Sequence, residues 1–198
     1  FIFMASMLEK SGVIEEVFDV AYKWLGRIPG GLAVATVVAS TVLAAMVGVI
    51  GAAVVTMALV ALPSMLRRGY SPVLAVGTVM AGGTLGILIP PSVLAIVYGL
   101  VANQSVGELY LGSVFPGLVL SGLYILFSVG YALLNPKAAP RLSPEETPTW
   151  SERWRALRSI WSPLVLIFLV LGTIFLGLAA PTEAAAIGAF GAMVVAAI

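Results

Sequence analysis

Long apolar runs dominate the pattern of hydrophobic and polar positions along this chain. The runs 30–66 and 70–102 contain no charged residue, and shorter apolar segments follow at 114–134 and 162–180. About 20 such residues are enough to cross the hydrocarbon core of a bilayer. The runs are continuously apolar rather than alternating, which favours helices over a membrane barrel. The pattern therefore predicts an all-α integral membrane protein with several spans.

The first long run predicts a helical hairpin. At a rise of about 1.5 Å per residue, 30–66 is far too long for one span and barely long enough for two. Its middle contains Gly48-Val49-Ile50-Gly51. A re-entrant hairpin with two short arms fits this length better than two complete crossings. Both glycines are expected at its tip, where a tight turn alone would also explain them.

The second long run, 73–102, predicts a discontinuous helix. It carries residues that are poor helix formers, namely Gly82, Gly83, Gly86, Pro90 and Pro91. We expect a break at Gly86–Pro91, with carbonyls from about Gly86 to Ile89 left without helical donors because proline has no N–H. Kinks or close helix packing are the alternative explanation.

A broken helix at membrane depth is tolerated where it lines a polar cavity, and secondary transporters build ion sites in this way. Free carbonyls suit Na⁺, and the start of the second half-helix, near Ser92, presents the positive end of a helix dipole to an anion. Three hydroxyl residues near these features are candidates for contact with a substrate: Ser40, Thr84 and Ser92.

Two segments have an amphipathic pattern. In 13–25, apolar residues recur at helical spacing opposite a mainly acidic face, so we expect this helix to pack against the protein rather than on anionic lipid. In the second segment, Thr149 and Glu152 have capping-box spacing. Trp154, Leu157 and Trp161 would share one face of an interfacial helix with tryptophan anchors.

Some polar residues have simpler structural interpretations. The hydroxyls of Thr56 and Thr78 are expected to donate to carbonyls one helical turn back. Glu183 follows Pro181 at the start of a helix, where an acid stabilises the helix dipole. All arginines are expected in loops, so no buried arginine would hold a carboxylate.

Basic residues set the predicted orientation. Lysine and arginine occur at positions 23 and 27, at 67–68 and within 137–158, and the positive-inside rule assigns all three clusters to the cytoplasm. The loop 103–112 has no basic residue and should face outward. Four regions are predicted. Residues 1–26 form the end of a membrane helix and an interfacial helix, and residues 27–134 form a transport-type core. The core contains the hairpin (30–66), the broken helix (73–102) and a span (114–134). A cytoplasmic linker with an interfacial helix (135–161) and the start of a second repeat (162–198) follow.

Composition supports a membrane protein and narrows its chemistry. Hydrophobic residues make up 61% of the chain and charged residues 10%, with a mean hydropathy of +1.10. The net charge of +1 argues against a nucleic-acid partner, and the absence of cysteine and histidine removes the commonest nucleophile, base and metal ligands of enzymes. We therefore expect no enzyme activity and no cofactor. Both ends lie within apolar stretches, which indicates a piece of a longer permease.

Four stretches resemble the large membrane subunit of the tripartite ATP-independent periplasmic (TRAP) transporters. They are GGLAVATVVAS at 30–40, ALPSMLRRGYSPVLAVGTVMAGGTLGILIPPS at 61–92, SVGELYLGSVFPGLVL at 105–120 and GLAAPTEAAAIGAF at 177–190. They occur in the family's order and extend over nearly the whole chain, and the stretch 61–92 is highly specific.

This resemblance implies Na⁺-coupled uptake of a small organic anion, usually a carboxylate, by an elevator-type movement. The implied partners are a periplasmic binding protein, which delivers the substrate, and a small membrane subunit, and the implied location is the bacterial or archaeal cytoplasmic membrane. No cofactor is implied beyond Na⁺ as the coupling ion. An ion channel or a non-transporting assembly subunit is the alternative function, because carbonyl-lined breaks also build channel filters and glycine-rich helices pack closely.

The resemblance also implies a Na⁺ site between the hairpin tip and the broken helix. Its backbone ligands would come from Val47, Gly48, Val49, Gly86, Ile89 and Pro91. Many family members carry hydroxyl residues on both sides of the tip glycine, where this chain has valines. The tip can therefore offer carbonyls but no hydroxyls.

Overall fold

The computed structural model describes residues 1–140 and 149–196, and the secondary structure within those ranges is helical. Ten helices follow one another in that part of the chain: α1 (Ile2–Lys10), α2 (Val13–Leu25), α3 (Gly31–Val47), α4 (Ile50–Arg67), α5 (Pro72–Leu88), α6 (Val93–Ala102), α7 (Val106–Leu134), α8 (Trp150–Ser159), α9 (Trp161–Phe175) and α10 (Pro181–Ala196). The middle of the predicted linker, 141–148, lies outside the described residues.

The predicted fold class is confirmed. Three helical segments of the described part are long and apolar enough to cross a membrane, namely Ile50–Arg67, Pro72–Ala102 and Val106–Leu134. A fourth results if α8 and α9 are counted together as one bent span. The chain is an all-α membrane protein. The division into domains that the sequence indicated stays a prediction.

The hairpin forms from α3 and α4, and its turn is tighter than the sequence indicated. Gly48 ends α3 in the left-handed conformation, with φ 63°, and Val49 is extended and precedes the first residue of α4. The expectation that Gly51 also belongs to the tip was wrong. Gly51 lies inside α4, because a two-residue turn with one left-handed glycine already reverses the chain.

The broken helix exists, but the predicted break began three residues too early. Helix α5 continues through Gly86 to Leu88, and the interruption covers 89–92. The last helical hydrogen bond runs from Ile89 N to Leu85 O at 2.9 Å. Glycine weakens a helix but keeps its N–H donor, whereas proline has none, so the prolines and not Gly86 set the end of α5. The peptide bond between Pro90 and Pro91 is cis.

Helix α7 is longer than the predicted span 114–134, and the predicted loop 103–112 was wrong over most of its length. The helix begins at Val106 because the Ser105 hydroxyl caps it, accepting a hydrogen bond from Glu108 N at 3.4 Å. Only three residues therefore connect α6 to α7.

The two amphipathic helices pack against each other. Helix α2 buries its apolar face against α3 and also contacts α8, as the pattern of 13–25 predicted. Trp24 of α2 lies 5.7 Å from Trp150 and 6.0 Å from Trp154, measured between ring centroids. The capping box of Thr149 and Glu152 is present. The contacts between these rings hold α8 against α2.

The expectation that all arginines lie in loops was wrong, because Arg67 ends α4 and α8 carries three more, one of them buried. Arg153 is on α8 and is only 8% exposed. Its carbonyl accepts a hydrogen bond from the Trp24 indole at 3.3 Å. The side chain is buried because this face of α8 turns toward α2, which the spacing of the tryptophans alone did not reveal.

Of the three polar residues that were given a purely structural role, two have the predicted hydrogen bond and one does not. Thr78 donates to Leu74 O at 2.7 Å, as expected. Glu183 accepts from Ala180 N at 2.8 Å, which confirms its capping position. Thr56 was predicted wrongly: it donates to the Glu9 carboxylate at 2.9 Å. A nearby charged acceptor gives a stronger hydrogen bond than a carbonyl already used by the helix.

Close packing of the hairpin, α5 and α7 positions the candidate site. Helix α5 lies against both hairpin arms, and α7 contacts α3, α5 and α6. Tyr70 lies at the end of this group that the positive-inside rule assigns to the cytoplasm. Its hydroxyl is buried and accepts a hydrogen bond from Leu32 N at 3.2 Å. Burial raises the pKa of Tyr70, so the hydroxyl stays neutral.

Candidate functional site

The hairpin tip meets the interruption between α5 and α6 directly. Val93 N, the first amide of α6, donates a hydrogen bond to Gly48 O at 3.3 Å. The Pro91 carbonyl oxygen lies against the Cα of Gly48, where a Cβ would collide with it. The hairpin tip and the interruption between α5 and α6, which are distant in sequence, are therefore in direct contact.

Glycine at position 48 is required for two reasons. Its φ of 63° is a conformation that L side chains rarely adopt. The space where a side chain would start is also occupied by Pro91 and, at 3.5 Å, by the Cα of Ser92. The tip approaches the broken helix this closely only because the residue has no Cβ.

The carbonyls at this junction are not all equally available to a ligand. The donors that would pair with the carbonyls of Gly86 and Ile87 in a continuous helix are the nitrogens of Pro90 and Pro91, which carry no hydrogen. The Val49 carbonyl, in contrast, accepts from Ala53 N at 3.1 Å as part of α4. The carbonyls around the break are thus better candidates for a cation than that of Val49.

Gly86 and Val49 nevertheless lie next to each other. A Cβ on Gly86 would be 3.7 Å from the Val49 carbonyl carbon and 3.8 Å from Ile50 N. Val47 is buried as the last residue of α3, immediately before the turn. The structure therefore groups the predicted Na⁺-site positions around the tip and the break.

Helix α7 closes the other side of the break. Ile89 is buried there, and a Cβ on Gly117 would be 2.9 Å from its side chain. The fully buried Tyr110 donates from its hydroxyl to Ser92 O at 3.1 Å. Sequence reasoning missed Tyr110. A buried phenol needs a hydrogen-bond partner, but α7 also carries Tyr124 and Tyr131, so the local sequence did not single out Tyr110.

Ser92 is the one substrate-proximal candidate that the structure places at the junction. It is 1% exposed, and its hydroxyl has no hydrogen-bond partner among the described residues. It occupies the N-cap position of α6 without capping the helix through its side chain. A buried, unpaired hydroxyl beside the positive end of a helix can interact with a ligand.

The other two hydroxyl candidates lie elsewhere. Ser40 is buried against Gly82, where α3 crosses α5. Thr84 donates to Ala81 O at 2.7 Å and is 3.2 Å from the Tyr124 hydroxyl on α7. Thr84 is exposed on the side of α5 that faces α7, whereas Gly82, Gly83 and Gly86 of α5 contact the hairpin. The structure does not bring Ser40 or Thr84 to the tip.

The position of the junction indicates how deep the tip lies. The break falls partway along the segment Pro72–Ala102, which is long enough to cross a membrane. A tip that contacts the middle of a spanning segment is the arrangement expected of a re-entrant hairpin. Helix α4 is itself long and apolar enough to cross a membrane, so the re-entrant hairpin stays a prediction.

A helical membrane protein in which a hairpin tip meets a discontinuous helix has the architecture of a secondary-transporter core. Comparison with known proteins identifies the family. Residues 1–198 match the family described as the DctM component of the tripartite ATP-independent periplasmic transporter. The chain belongs to this family, and the family and the apolar helices place it in the bacterial inner membrane as a multi-pass protein.

Several curated relatives are similar over almost the whole chain. The C4-dicarboxylate TRAP transporter large permease protein DctM of Vibrio cholerae is 37% identical over 96% of this chain and 41% of its own length. The protein of the same name from Pseudomonas aeruginosa is 38% identical, with 96% and 43% covered. The ectoine TRAP transporter large permease protein TeaC of Halomonas elongata is 32% identical, with 94% and 42% covered. The chain thus spans about two fifths of these relatives, which are named as permeases and not as enzymes.

Proposed function

We propose that this chain is part of a permease that takes up a small organic anion in symport with Na⁺. The contact between the Gly48 tip and the interruption before Ser92 is the observation that carries the proposal. It gathers carbonyl groups and a helix N-terminus inside a membrane segment, where unpaired backbone groups are costly unless they bind something.

Backbone oxygens suit the proposed ion. Na⁺ is a hard cation that oxygen ligands bind, and unwound carbonyls supply them in discontinuous transporter helices. Among the described residues, no group of three or more acidic, histidine or cysteine residues could hold a metal ion. The proposed site therefore uses the carbonyls of Gly86, Ile89 and Pro91, with those of Val47, Gly48 and Val49 at the tip.

The substrate class and partners are proposed from the relatives. Their names refer to C4-dicarboxylate, ectoine and 2,3-diketo-L-gulonate transport. We propose a small carboxylate, delivered by a periplasmic binding protein to a complex that includes a small membrane subunit. Ser92 at the start of α6 is the residue of this chain proposed to lie nearest the anion.

The proposed movement is that of an elevator. Helices α3, α5 and α7 pack against one another. A hydrogen bond of 2.7 Å joins the hydroxyls of Thr41 on α3 and Ser121 on α7. Parts that interlock in this way move together more readily than they slide apart. The hairpin, the broken helix and α7 would therefore carry the site as one unit.

Uptake of a radiolabelled C4-dicarboxylate into proteoliposomes tests this function. The complete transporter, with its binding protein, should accumulate substrate from Na⁺ buffer and lose uptake when choline replaces Na⁺. Unchanged uptake in choline would contradict coupling to Na⁺. Substrate-independent macroscopic currents would instead favour a channel, and a complex that assembles without any flux would favour a subunit with no transport role.

A further inference from the structure

A cleft lies where the amphipathic helix α8 meets the apolar helix α9. Its volume is about 530 Å³, and its lining combines aromatic and aliphatic side chains with a single cation: Trp154, Leu157, Arg158, Trp161 and Leu164. The two tryptophans are 54% and 69% exposed. One guanidinium at the edge of an open apolar cleft is suited to a ligand with an anionic group and a hydrocarbon part.

The charge around this cleft is positive. Helix α8 carries Arg153, Arg155 and Arg158, and its acidic residue, Glu152, already accepts a hydrogen bond from Thr149 N at 2.7 Å. Arg153 is buried, and its Nε and Nη2 have no hydrogen-bond partner among the described residues. Arg158 is exposed and lines the cleft, so it is the arginine that an incoming anion can reach.

The helices on the two sides of the cleft differ in polarity, as expected at a membrane interface. Helix α9 continues from it with apolar side chains that are exposed on the molecule, including Phe168 at 73%. Helix α8 is polar and belongs outside the hydrocarbon. Tryptophan is enriched at membrane interfaces because its ring is apolar and its N–H polar. The cleft therefore has the composition expected where acyl chains meet headgroups.

From this placement we propose that the α8–α9 cleft binds one anionic phospholipid. The phosphate is paired with Arg158, since arginine binds phosphate through two parallel hydrogen bonds. The first part of an acyl chain lies along Leu157, Leu164 and the two tryptophan rings. The bound lipid fixes the angle between the polar helix α8 and the apolar helix α9. This proposal is independent of the proposed transport function.

Native mass spectrometry of the full-length permease with phosphatidylglycerol or phosphatidylcholine tests the site. Arg158→Gln should weaken phosphatidylglycerol binding by about tenfold, which corresponds to about 1.4 kcal/mol. Arg155→Gln is the matched control. It removes the same charge from an exposed position on the same helix that does not line the cleft, and it should change the affinity by less than about twofold.

Three outcomes would overturn the proposal. Equal weakening by both substitutions would show diffuse attraction to a basic surface. Equal binding of the two lipids by the parent protein would show that no anion site exists. Phosphatidylglycerol binding that neither substitution changes would show that the lipid binds elsewhere on the protein and not in the cleft.

Discussion

A single buried tyrosine links helix α7 to the interruption between α5 and α6. The Tyr110 hydroxyl donates to Ser92 O, and this carbonyl also accepts from Ile96 N at 3.3 Å. The Tyr110 hydroxyl therefore holds Ser92, the last residue of the interruption before α6, close to α7. The Ser92 carbonyl would keep the Ile96 amide as a donor without Tyr110, so the phenol adds the link to α7 and not the only hydrogen bond of this carbonyl.

Replacement of this tyrosine by phenylalanine should loosen the junction. Tyr110→Phe removes one oxygen, leaves the ring packing intact and should cost about 0.5–1.5 kcal/mol of unfolding free energy, because the Ser92 carbonyl keeps its hydrogen bond from Ile96 N. Thermal or denaturant unfolding of the purified full-length permease measures the effect. Tyr98→Phe is the control, because Tyr98 is 58% exposed on α6. Equal stability of both variants and the parent would contradict the role assigned to the Tyr110 hydroxyl.

At the residue scale, the sequence predicted conformations better than partners. Gly48 was expected at the tip because a reversal in an apolar run needs a flexible residue. The partner of Thr56 was not predicted, because Glu9 belongs to a different helix and lies 47 residues away. Long-range pairs of this kind depend on how helices pack, which local spacing does not encode.

Three glycines on α5 allow this helix to approach the hairpin on both arms. A Cβ on Gly82 would meet Ser40 of α3, one on Gly83 would meet Val54 of α4, and one on Gly86 would be near Val49 at the tip. Close approach of helix backbones through small residues is how membrane helices associate, since lipid offers no hydrophobic driving force.

A methyl group at one of these contacts should separate the helices. Gly83→Ala would place a Cβ 3.3 Å from the Val54 Cα and closer still to its side chain, so we expect a loss of about 1–3 kcal/mol from overpacking. Gly77→Ala is the control on the same helix, where nothing lies within 4 Å, and it should be neutral or stabilising by up to about 1 kcal/mol. The unfolding midpoints of the two variants measure the difference. Indistinguishable midpoints would mean that Gly83 has no packing role.

At the element scale, the hairpin and the broken helix could both be predicted, because length and the positions of glycine and proline are local properties. The exact break could not. Glycine is a poor helix former, so Gly82, Gly83 and Gly86 also favoured a break, yet α5 continues through all three. In the packed protein they serve contact between helices, and only the prolines remove hydrogen-bond donors.

For the whole molecule, the charge pattern and the helices predict one orientation. Helix α7 separates the loop 103–105 from the basic segment that begins at Lys137. With about 1.5 Å per residue, its 29 residues are long enough to cross a bilayer. The positive-inside rule assigns the Lys137 end to the cytoplasm.

Labelling of single cysteines tests this orientation, and this chain has no cysteine of its own to interfere. In a full-length permease free of other cysteines, Gln104→Cys should react with a membrane-impermeant maleimide applied from the periplasmic side. Lys137→Cys should react only after the membrane is permeabilised. The reverse pattern would invert the topology, and labelling of both from outside would mean that α7 does not span the membrane.

The central claim is that the Gly48 tip and the interrupted helix together hold Na⁺. Direct ²²Na⁺ binding to the purified full-length permease tests it. Gly48→Ala forces the tip away from Pro91, and we expect its Na⁺ affinity to fall by about tenfold or more, which corresponds to about 1.4 kcal/mol of binding energy. Gly51→Ala, whose Cβ meets nothing within 4 Å, should bind Na⁺ like the parent. If all three folded proteins bind Na⁺ with the same affinity, the junction is not the ion site.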